Sequence, residues 1–507
     1  MIYVLSSAQM KAIDARAINE FGLPARILME NAGKGCADYL LSNYPSAAKE
    51  RVIILHGSGN NSGDGFVIAR WLHLSGSKVA LCKVKSGKLS PESQANFELC
   101  EKLGILCYDI SRDKAVDVFN THLSSATMII DAVFGIGFKG ELDASLMLLF
   151  AATNSCTALR IAIDIPSGTN ADSGTGEDAF LADETLCIHS PKLGSLLHTG
   201  KTKSGKLHTI SLGIPNSYNE AENPAILITD ENHATPKRYL GAHKGMYGRV
   251  LVMGGSPGFL GSVAMTSRAA LRAGAGFVNL LSRKALASYY CCNPAEIMFI
   301  GIPESDATNL PDMESCLNLL KQANSLVIGP GLGLDKYALL LLELVLKNSA
   351  VPTVVDADAL RLIALNPKLQ KYLKKPNILL TPHLGEFRTL ADITTAQLEE
   401  NRIHYLQEFV QKHKTRVLLK SDTTVYCDVK NLYLSTAGND GLATGGSGDV
   451  LAGIIASFAA QGMELGKAAI NAAFLMGKTA ERLALKRQTP SIIPSEIIEN
   501  LFIKEEI

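Results

Sequence analysis

The stretch Arg51–Leu74, RVIILHGSGNNSGDGFVIARWLHL, joins an apolar run, a glycine-rich polar segment and a second apolar run in direct succession. Arg51–Leu55 is rich in Val, Ile and Leu and predicts a buried strand, whereas Phe66–Leu74 predicts a helix. The segment His56–Gly65 between them predicts a loop whose glycines let the backbone approach a ligand. A short buried strand that is followed, after a loop, by a helix is typical of parallel α/β sheets.

The same alternation continues along the chain and predicts an α/β fold throughout. Further strands are predicted at Lys78–Val84, Thr127–Val133, Arg160–Ile165, Arg249–Met253, Ser325–Ile328, Thr353–Asp356, Ile378–Thr381 and Arg416–Leu419. Further helices are predicted at Glu92–Leu103, Val263–Ala273, Tyr337–Leu346 and Val450–Gln461. The segment Gly213–Ala242 is rich in Pro, Asn and mixed charge, so we expect a boundary near residue 220 and two domains, 1–220 and 221–507.

Composition excludes several classes of protein. The 507 residues carry 49 Lys+Arg against 49 Asp+Glu, and this zero net charge argues against a nucleic-acid binder or a polybasic membrane-surface protein. The apolar run Ala338–Leu346 is too short to span a bilayer, and Met1–Gly22 lacks the pattern of a signal peptide. Ten scattered cysteines without a C-x-x-C pair favour reduced thiols, so we expect a cytoplasmic protein.

Acidic residues follow three predicted strands of the first half. Asn60, Asn61 and Asp64 lie in the first glycine-rich loop, and Asp131 and Asp164 lie at the ends of two later strands. Ligands of open α/β sheets bind at the carboxyl ends of the strands, so these residues predict a site. A single Asp at such a position is often only a turn former or a helix cap.

The ordered motifs of the first half resemble the N-terminal domain of the YjeF family, the NAD(P)HX epimerases. They are Asn31-Ala32-Gly33, Gly59–Gly65, Asp131–Gly135 and Asp164–Gly168. The resemblance implies a Rossmann-like three-layer αβα domain that interconverts the R and S forms of hydrated NADH or NADPH.

The resemblance also implies roles for individual residues. Asp164 would be the acid/base group and contact the substrate, and Asn61, Asp131 and Ser167 would bind K⁺ through oxygen atoms. The other substrate-binding residues would be Asn60, Asn61, Ser62, Gly63, Asp64, Gly135, Ile136, Gly137, Phe138, Lys139, Gly140 and Glu141. The family usually has glycine at the position of Ser62, so Ser62 strains the loop if the position needs a positive φ.

The second half contains a glycine-rich segment, Gly438–Gly453, in which Asp449 stands where an apolar helix begins. Backbone N–H groups at such a helix start can bind a phosphoryl group, and an Asp there can accept the proton of an attacking hydroxyl. The plainer alternative is that Asp449 only caps its helix.

This segment resembles the anion hole of the ribokinase superfamily, and its neighbours narrow the resemblance to the ADP- or ATP-dependent NAD(P)HX dehydratases over roughly residues 225–500. The supporting motifs, in order, are His243–Arg249, Gly254–Ser256, Ala269–Gly276, Gly329–Gly333, Asp356–Leu360 and Thr381–Glu386. The resemblance implies a ribokinase-like αβα domain in which Asp449 is the base and Gly448 belongs to the anion hole.

Further roles follow from the same resemblance. Ser262, Gly331, His383 and Asp449 would contact the hydrated dinucleotide. Lys420, Ser421, Asp422, Thr423, Thr424 and Gly448 would contact ADP. Asp356 and Asp358 lie at a predicted strand end, where we expect them to hold Mg²⁺-bound water or to anchor loops rather than to act in catalysis. The alternative for His383 is that it only completes a turn.

The resulting hypothesis is a bifunctional repair enzyme. One half epimerises R- and S-NAD(P)HX, and the other dehydrates the S form to NAD(P)H at the expense of ADP, giving AMP and phosphate. The family implies K⁺ for the first half, Mg²⁺ for the second and a homo-oligomer. The alternative is a C-terminal small-molecule kinase fused to a non-catalytic N-terminal binding module. The choice between ADP and ATP, and between NADHX and NADPHX, stays open.

Overall fold

A computed structural model of the chain describes residues 2–46, 51–111, 123, 125–290, 294–303 and 313–502. The chain divides into two compact units, one covering Ile2–Ala225 and the other running from Ile226 to the carboxyl end. The boundary expected near residue 220 lies a few residues before this division. Within the described ranges, no helix combines the length and the apolar character that crossing a bilayer requires.

The amino-terminal unit is built on a seven-stranded sheet in which every neighbouring pair of strands is parallel. Its strands are β1 (Ile2–Val4, outside this sheet), β2 (Arg51–His56), β3 (Lys78–Lys83), β4 (Leu106–Asp109), β5 (Met128–Ala132), β6 (Leu159–Ile163), β7 (Glu184–Ile188) and β8 (Lys206–Ile210). Its helices are Ser7–Asn19, Ala25–Asn43, Asn60–Leu74, Pro91–Lys102, Ala144–Asn154, His198–Lys203 and Asn216–Ala221. The strand order is β4-β3-β2-β5-β6-β7-β8.

Alternate side chains of β2 enter two separate hydrophobic cores. Val52 and Ile54 belong to the core that contains the helices Ala25–Asn43 and Asn60–Leu74, whereas Ile53 and Leu55 belong to the core with Leu146 and Phe150 of the helix Ala144–Asn154. Because successive residues of a strand point to opposite faces, helices therefore cover both faces of the sheet. This confirms the three-layer αβα architecture.

The order of the strands reverses at β2, which pairs with β3 on one side and with β5 on the other. At such a switch point the loops that follow the two central strands run in opposite directions and leave a crevice at the carboxyl edge. The segment after β2 and the segment after β5 both border this crevice, and this is why their polar residues come together.

The carboxyl-terminal unit forms a larger sheet. Its strands are β9 (Ala225–Leu227), β10 (Arg249–Met253), β11 (Phe277–Arg283), β12 (Ile297–Ile302), β13 (Ser325–Ile328), β14 (Thr353–Val355), β15 (Ile378–Leu380), β16 (Arg416–Leu419), β17 (Thr424–Cys427) and β18 (Leu432–Ser435). The order is β9-β18-β17-β16-β15-β14-β13-β10-β11-β12, and the pairs β16–β17 and β17–β18 are antiparallel. Its helices are Leu260–Arg272, Ala287–Tyr290, Met313–Gln322, Lys336–Asn348, Asp358–Leu365, Leu384–Ala391, Thr395–Glu400, Arg402–His413, Ser447–Ala460, Leu465–Ala484 and Pro494–Glu499.

The strands and helices predicted from the sequence are all present, with ends that differ by a few residues, but one predicted loop is wrong. The helix after β2 begins at Asn60, so Asn60–Gly65 forms its first turns and the loop is confined to Gly57–Gly59. Neighbouring residues leave little room for side chains at two of the helical glycines. A Cβ on Gly63 would lie 2.5 Å from Met29, and one on Gly65 would lie 2.7 Å from Ala132.

A glycine also sets the approach of two helices in the carboxyl-terminal unit. Gly453 lies inside the buried helix Ser447–Ala460, and a Cβ there would stand 2.2 Å from the carbonyl oxygen of Thr266 and 2.9 Å from Ala269. Both of these residues belong to the helix Leu260–Arg272. Backbone contact this close leaves no space for a side chain, so the helix pair depends on the absence of a Cβ at this position.

We expect Gly453→Ala to lower the free energy of unfolding by about 1–3 kcal/mol through overpacking, although Ala is the better helix former. Thermal unfolding of the full chain measures the effect. Gly261→Ala is the matched control, because Gly261 is helical and a Cβ there meets nothing within 4 Å. The control should melt at or above the wild-type temperature, and an equal rise in both variants would contradict the packing role.

Candidate functional site

A cavity of about 790 Å³ opens at the carboxyl edge of the amino-terminal sheet. Most of the residues predicted to bind substrate in this half line it, namely Asn60, Asn61, Asp64, Gly135, Ile136, Gly137, Phe138, Lys139, Glu141 and Asp164. Ser62, Gly63 and Gly140 are not among the lining residues. The structure therefore brings together side chains that lie about a hundred residues apart in the sequence.

Asp164 follows β6 directly, and its backbone is left-handed, with a φ of 70°. Its N–H donates to the carbonyl oxygen of Leu186 at 2.8 Å, and its carboxylate accepts from the N–H of Ile188 at 3.2 Å. These bonds to β7 hold the residue in a conformation that an L side chain rarely adopts. The carboxylate is fixed at the cavity wall as a result.

Lys192 is the partner of that carboxylate, and the sequence prediction missed it. Its side chain is fully buried, and its ammonium forms an ion pair with Asp164. The remaining two donors reach the carbonyl oxygens of Ile188 at 2.6 Å and Ser190 at 2.9 Å. A lysine shortly after the apolar strand Glu184–Ile188 was the available signal, but nothing local indicates that its charge turns inward.

Two further acids line the same cavity. Burial raises the pKa of Asp14 to about 6, with Lys192 opposing the shift and Asp164 adding to it. Burial also raises the pKa of Asp64 well above its usual range, and the nearby charges of Asp164 and Asp14 raise it further. The cavity thus holds carboxyl groups that differ in how easily they give up a proton.

The residues expected to bind K⁺ are connected by hydrogen bonds that run through the backbone of Phe134 and the buried carboxylate of Asp131. Asp131 accepts from the hydroxyl of Ser167 at 2.6 Å and from its N–H at 2.7 Å. Asn61 donates to the carbonyl oxygen of Phe134 at 2.8 Å, and the N–H of Phe134 donates to Ser167 at 2.8 Å. Burial raises the pKa of Asp131 to about 6, although the bonds from Ser167 oppose this. Oxygen atoms grouped around a buried carboxylate are the ligands that a hard cation prefers.

Ser62 is free of the strain that its position could have caused. It is the third residue of the helix Asn60–Leu74, and it is not among the residues with a positive φ. Its hydroxyl accepts from the N–H of Gly57 at 3.0 Å and donates to the carbonyl oxygen of Ala132 at 3.2 Å. Ser62 therefore joins the loop after β2 to the end of β5.

In the carboxyl-terminal unit, Asp449 lies in the first turn of the helix Ser447–Ala460, where backbone N–H groups are free of helical partners. The residue before this helix, Gly446, is left-handed with a φ of 100°. Burial, followed by the charge of Asp356, raises the pKa of Asp449 to about 6, and a hydrogen bond with Ser262 opposes the shift. The structure thus brings Ser262 and Asp449 into contact from two helices.

Lys420 and Asp356 form a second ion pair beside this acid. The Lys420 ammonium lies 2.7 Å from the Asp356 carboxylate, which is almost completely buried. Burial lowers the pKa of Lys420, but Asp356 and Glu386 outweigh it and the net shift is upward. A Cβ on Gly448 would lie 3.1 Å from the Lys420 ammonium, so the predicted anion-hole glycine and the lysine are neighbours.

His383 caps the helix Leu384–Ala391. Its Nδ1 accepts from the N–H of Gly385 at 3.0 Å and of Glu386 at 3.3 Å, while 60% of its side chain stays exposed. Because Nδ1 is an acceptor, the neutral ring carries its proton on Nε2. The Nε2 atom lies 3.6 Å from the Glu386 carboxylate, so His383 contacts Glu386 through its ring as well as capping the helix. Gly331 has a φ of 55°, and a Cβ there would lie 2.5 Å from the carbonyl oxygen of Phe259.

The segment Lys420–Thr423 connects β16 to β17, and Thr424 begins β17. The Ser421 hydroxyl donates to the carbonyl oxygen of Thr423 at 2.6 Å, and Arg402 donates to Ser421 and to Asp422. Thr423 is buried. These bonds give the segment a defined shape. Asp358, which was expected to anchor loops or hold Mg²⁺-bound water, accepts from the N–H of Gly333 at 2.9 Å.

Two family models match the chain, one in each half. The model described as YjeF-related protein N-terminus matches residues 25–194, and the model described as NAD(P)H-hydrate dehydratase matches residues 250–502.

Curated relatives match over almost the whole length. The bifunctional NAD(P)H-hydrate repair enzyme Nnr of Moorella thermoacetica is 32% identical, over 99% of this chain and 96% of the relative. The enzyme of the same name from Escherichia coli K12 is 32% identical, over 96% of this chain and 91% of the relative. Among solved structures, the ADP/ATP-dependent NAD(P)H-hydrate dehydratase of Bacillus subtilis, crystallised with ATP and Mg²⁺, has a TM-score of 0.47 at 24% identity, covering 55% of this chain and 96% of that one.

We expect Lys192→Met to lower the free energy of unfolding by about 3–5 kcal/mol, because it leaves the Asp164 carboxylate buried without a cation. Asp164→Asn in the same chain should restore most of the loss. Chemical denaturation at pH 7 measures both. Lys34→Met is the matched control, since the Lys34–Asp38 pair is exposed and contributes less than about 1 kcal/mol. A cost for Lys192→Met no larger than that of the control would contradict the role of the buried pair.

Proposed function

Because the chain belongs to the family of bifunctional NAD(P)H-hydrate repair enzymes, we propose that each half performs one step of that repair. The amino-terminal half epimerises R- and S-NAD(P)HX, and the carboxyl-terminal half dehydrates the S form to NAD(P)H at the expense of ADP. The alternative, a small-molecule kinase fused to a non-catalytic module, is not favoured, since relatives named as bifunctional NAD(P)H-hydrate repair enzymes match almost the whole chain. The single observation that carries the proposal is the presence of a cavity-lining carboxylate, Asp164, with its own buried cation.

Asp164 acts as an acid/base group in the epimerase half. Inverting a hemiaminal-type carbon requires the bond to the hydroxyl group to break and form again, and a fixed carboxylate can move the proton involved. The ion pair with Lys192 and the bond from Ile188 hold this carboxylate in position at the cavity wall. The polar residues of the cavity, Asn60 and Asp64 among them, would then orient the hydrated dinucleotide.

Asp449 acts as the base of the dehydratase half. It accepts the proton of the C6 hydroxyl while that oxygen attacks the terminal phosphoryl group of ADP, and AMP leaves. Elimination of the phosphate from C6, with a proton from the neighbouring carbon, then restores the ring double bond. The environment of Asp449 supports this role, because its raised pKa of about 6 brings it close to neutral pH. The N–H groups of the same helical turn would stabilise the charge on the moving phosphoryl group.

Lys420 and Asp356 are placed to serve the nucleotide. The ammonium of Lys420 lies next to Gly448 in the predicted anion hole, and a lysine there can neutralise phosphate oxygens. Mg²⁺, which the family implies, would neutralise charge on the transferred phosphate when bound. Asp356 and Asp358 are the carboxylates that would hold its water molecules.

K⁺ is proposed for the epimerase half, held by Asn61, Asp131 and Ser167. The observation that supports it is the buried carboxylate of Asp131, whose hydrogen-bond partners among the described residues are neutral groups. A monovalent cation would supply the missing positive charge. The family also implies a homo-oligomer and a cytoplasmic location, which we propose without a structural argument.

The assay that tests the function gives the purified chain a mixture of R- and S-NADHX with ADP and Mg²⁺ and follows the absorbance of restored NADH. The wild-type chain should restore all of it. Asp449→Asn should restore none, whereas Asp164→Asn should stop when the S fraction is consumed. Absence of NADH formation by the wild-type chain with either ADP or ATP would overturn the proposal. The dehydratase rate on pure S substrate should decrease as the pH is lowered below about 6, because Asp449 must be ionised to act as the base.

We expect K⁺ to raise the melting temperature of the amino-terminal unit relative to Na⁺ at equal ionic strength, because a ligand that binds only the folded state stabilises it. Asp131→Asn should abolish the difference between the two salts. Asp38→Asn, an exposed acid on the helix Ala25–Asn43, is the matched control and should keep it. Identical melting curves of the wild-type chain in both salts would contradict the K⁺ site.

A further inference from the structure

Four carboxyl groups line the amino-terminal cavity, and three of them, Asp14, Asp64 and Asp164, differ in their partners. Asp164 is ion-paired with Lys192, which is completely buried. Among the interactions that the structure describes, Asp14 and Asp64 have neither an ion pair nor a side-chain hydrogen bond. Because unpaired carboxylates close together repel each other in a low-dielectric site, the three groups cannot all be ionised at little cost. Asp14 and Asp64, which have no cation of their own among the described residues, therefore keep their protons more readily than carboxyl groups in water do.

Asp14 comes from a part of the chain to which no role has been assigned so far. It lies on the helix Ser7–Asn19, which precedes the matched region 25–194. The charged groups that face it are Asp164 after β6, Lys192 after β7 and Asp64 on the helix Asn60–Leu74. Lys11, on its own helix, also lines the cavity, as do Lys85, Lys139 and Glu141.

The position of Asp14 follows from how its helix is fixed. Ser6 caps this helix by accepting from Gln9, and Asp172 binds both the N–H and the hydroxyl of Ser7. On the same helix, Met10, Ile13 and Ala17 enter the core beneath the sheet. Asp14 follows Ile13 directly and is half-buried at the cavity wall. The helix that carries it is thus anchored at its start and along its apolar face.

The epimerase chemistry needs two proton carriers. When the hydroxyl group leaves the hemiaminal carbon, a general acid must protonate it, and when water returns to the other face of the ring, a general base must accept a proton. Two carboxyl groups in different environments can divide these tasks, since one is held ionised and the other stays protonated. The ion-paired Asp164 suits the base, and the unpaired acids are the candidates for the other role.

We propose that Asp14 is the proton donor of the epimerase half and works as a pair with Asp164. This inference rests on the proposed epimerase function and adds a second reacting group to it. Asp14 is preferred to Asp64 because Asp64 belongs to the segment that is expected to bind the substrate, whereas the helix of Asp14 lies outside that segment. Burial also raises the pKa of Asp14 to about 6, which keeps part of it protonated near neutral pH.

The steps balance without any co-reactant other than water. Asp14 gives its proton to the C6 hydroxyl, the C6–O bond breaks and water leaves, while the lone pair of the ring nitrogen forms a C=N bond. A water molecule then attacks C6 from the other face, its proton passes to Asp164, and the electron pair returns to nitrogen. Asp14 and Asp164 recover their starting states by exchanging one proton through solvent. In the reverse direction the two groups exchange roles.

The test uses the full chain, pure R-NADHX and pure S-NADHX in separate assays, with the rate of uncatalysed epimerisation subtracted. Asp14→Asn should lower the epimerisation rate at least about 100-fold, as expected for loss of a general acid. The rate of NADH formation from S-NADHX with ADP and Mg²⁺ should stay unchanged, because the dehydratase half is intact. Asp38→Asn removes an exposed carboxylate from the same unit and should leave both rates unchanged. An Asp14→Asn chain that epimerises at the wild-type rate would overturn the proposal.

A pH profile separates a proton donor from a merely structural residue. In the wild-type chain, kcat/KM for epimerisation should fall as pH rises above about 6, because the donor must be protonated. Asp14→Glu should retain this fall, and Asp14→Asn should lose it. The Asn variant should also melt no lower than the wild-type chain at pH 8, since it removes a buried charge. A wild-type profile without the alkaline fall contradicts the proposal by itself, whereas a wild-type chain that cannot epimerise R-NADHX contradicts the epimerase function instead.

Discussion

Both halves bury an acid that directly follows a parallel strand, and in both the burial of that acid must be compensated by other groups. Burial of a carboxylate is costly unless a cation or hydrogen bonds compensate for it. The amino-terminal half meets this requirement with Lys192 beside Asp164, and the carboxyl-terminal half with Lys420 beside Asp356. In each case a lysine distant in sequence pairs with the acid, and a neighbouring carboxyl group, Asp14 in one half and Asp449 in the other, has a pKa raised to about 6.

The backbone at these strand ends is also held in an unfavourable conformation. Asp164 has a φ of 70° and Ala357, next to Asp356, has a φ of 48°. Left-handed backbone costs an L residue about 1–3 kcal/mol, so it persists only where the surroundings enforce it. For Asp164 the enforcing bonds come from Leu186 and Ile188 of the neighbouring strand. The sheet therefore stabilises the geometry of the Asp164 carboxylate as well as the core.

The fold could largely be predicted because its signals are local. Apolar β-branched runs mark strands such as Arg51–His56, and these ended within a few residues of the predicted positions. The segment Asn60–Gly65 was predicted as a loop because its glycines are usually loop formers. The segment is helical, and two of its glycines serve packing, because Met29 and Ala132 lie where their side chains would stand. Local composition cannot reveal such a contact, since both neighbours belong to other elements.

The sequence by itself determined the two α/β halves, the strand ends that carry acids, and the ordered motifs of the family. Only the tertiary structure decided which charges meet. Lys192 lies 28 residues after Asp164 and Asp14 lies on a separate helix, so neither is marked by its neighbours in sequence. Likewise, the tertiary structure places Ser62 in the helix, where its hydroxyl joins the ends of β2 and β5. Burial and pKa depend on every charge and dipole within a few ångströms, and those distances exist only once the chain has folded.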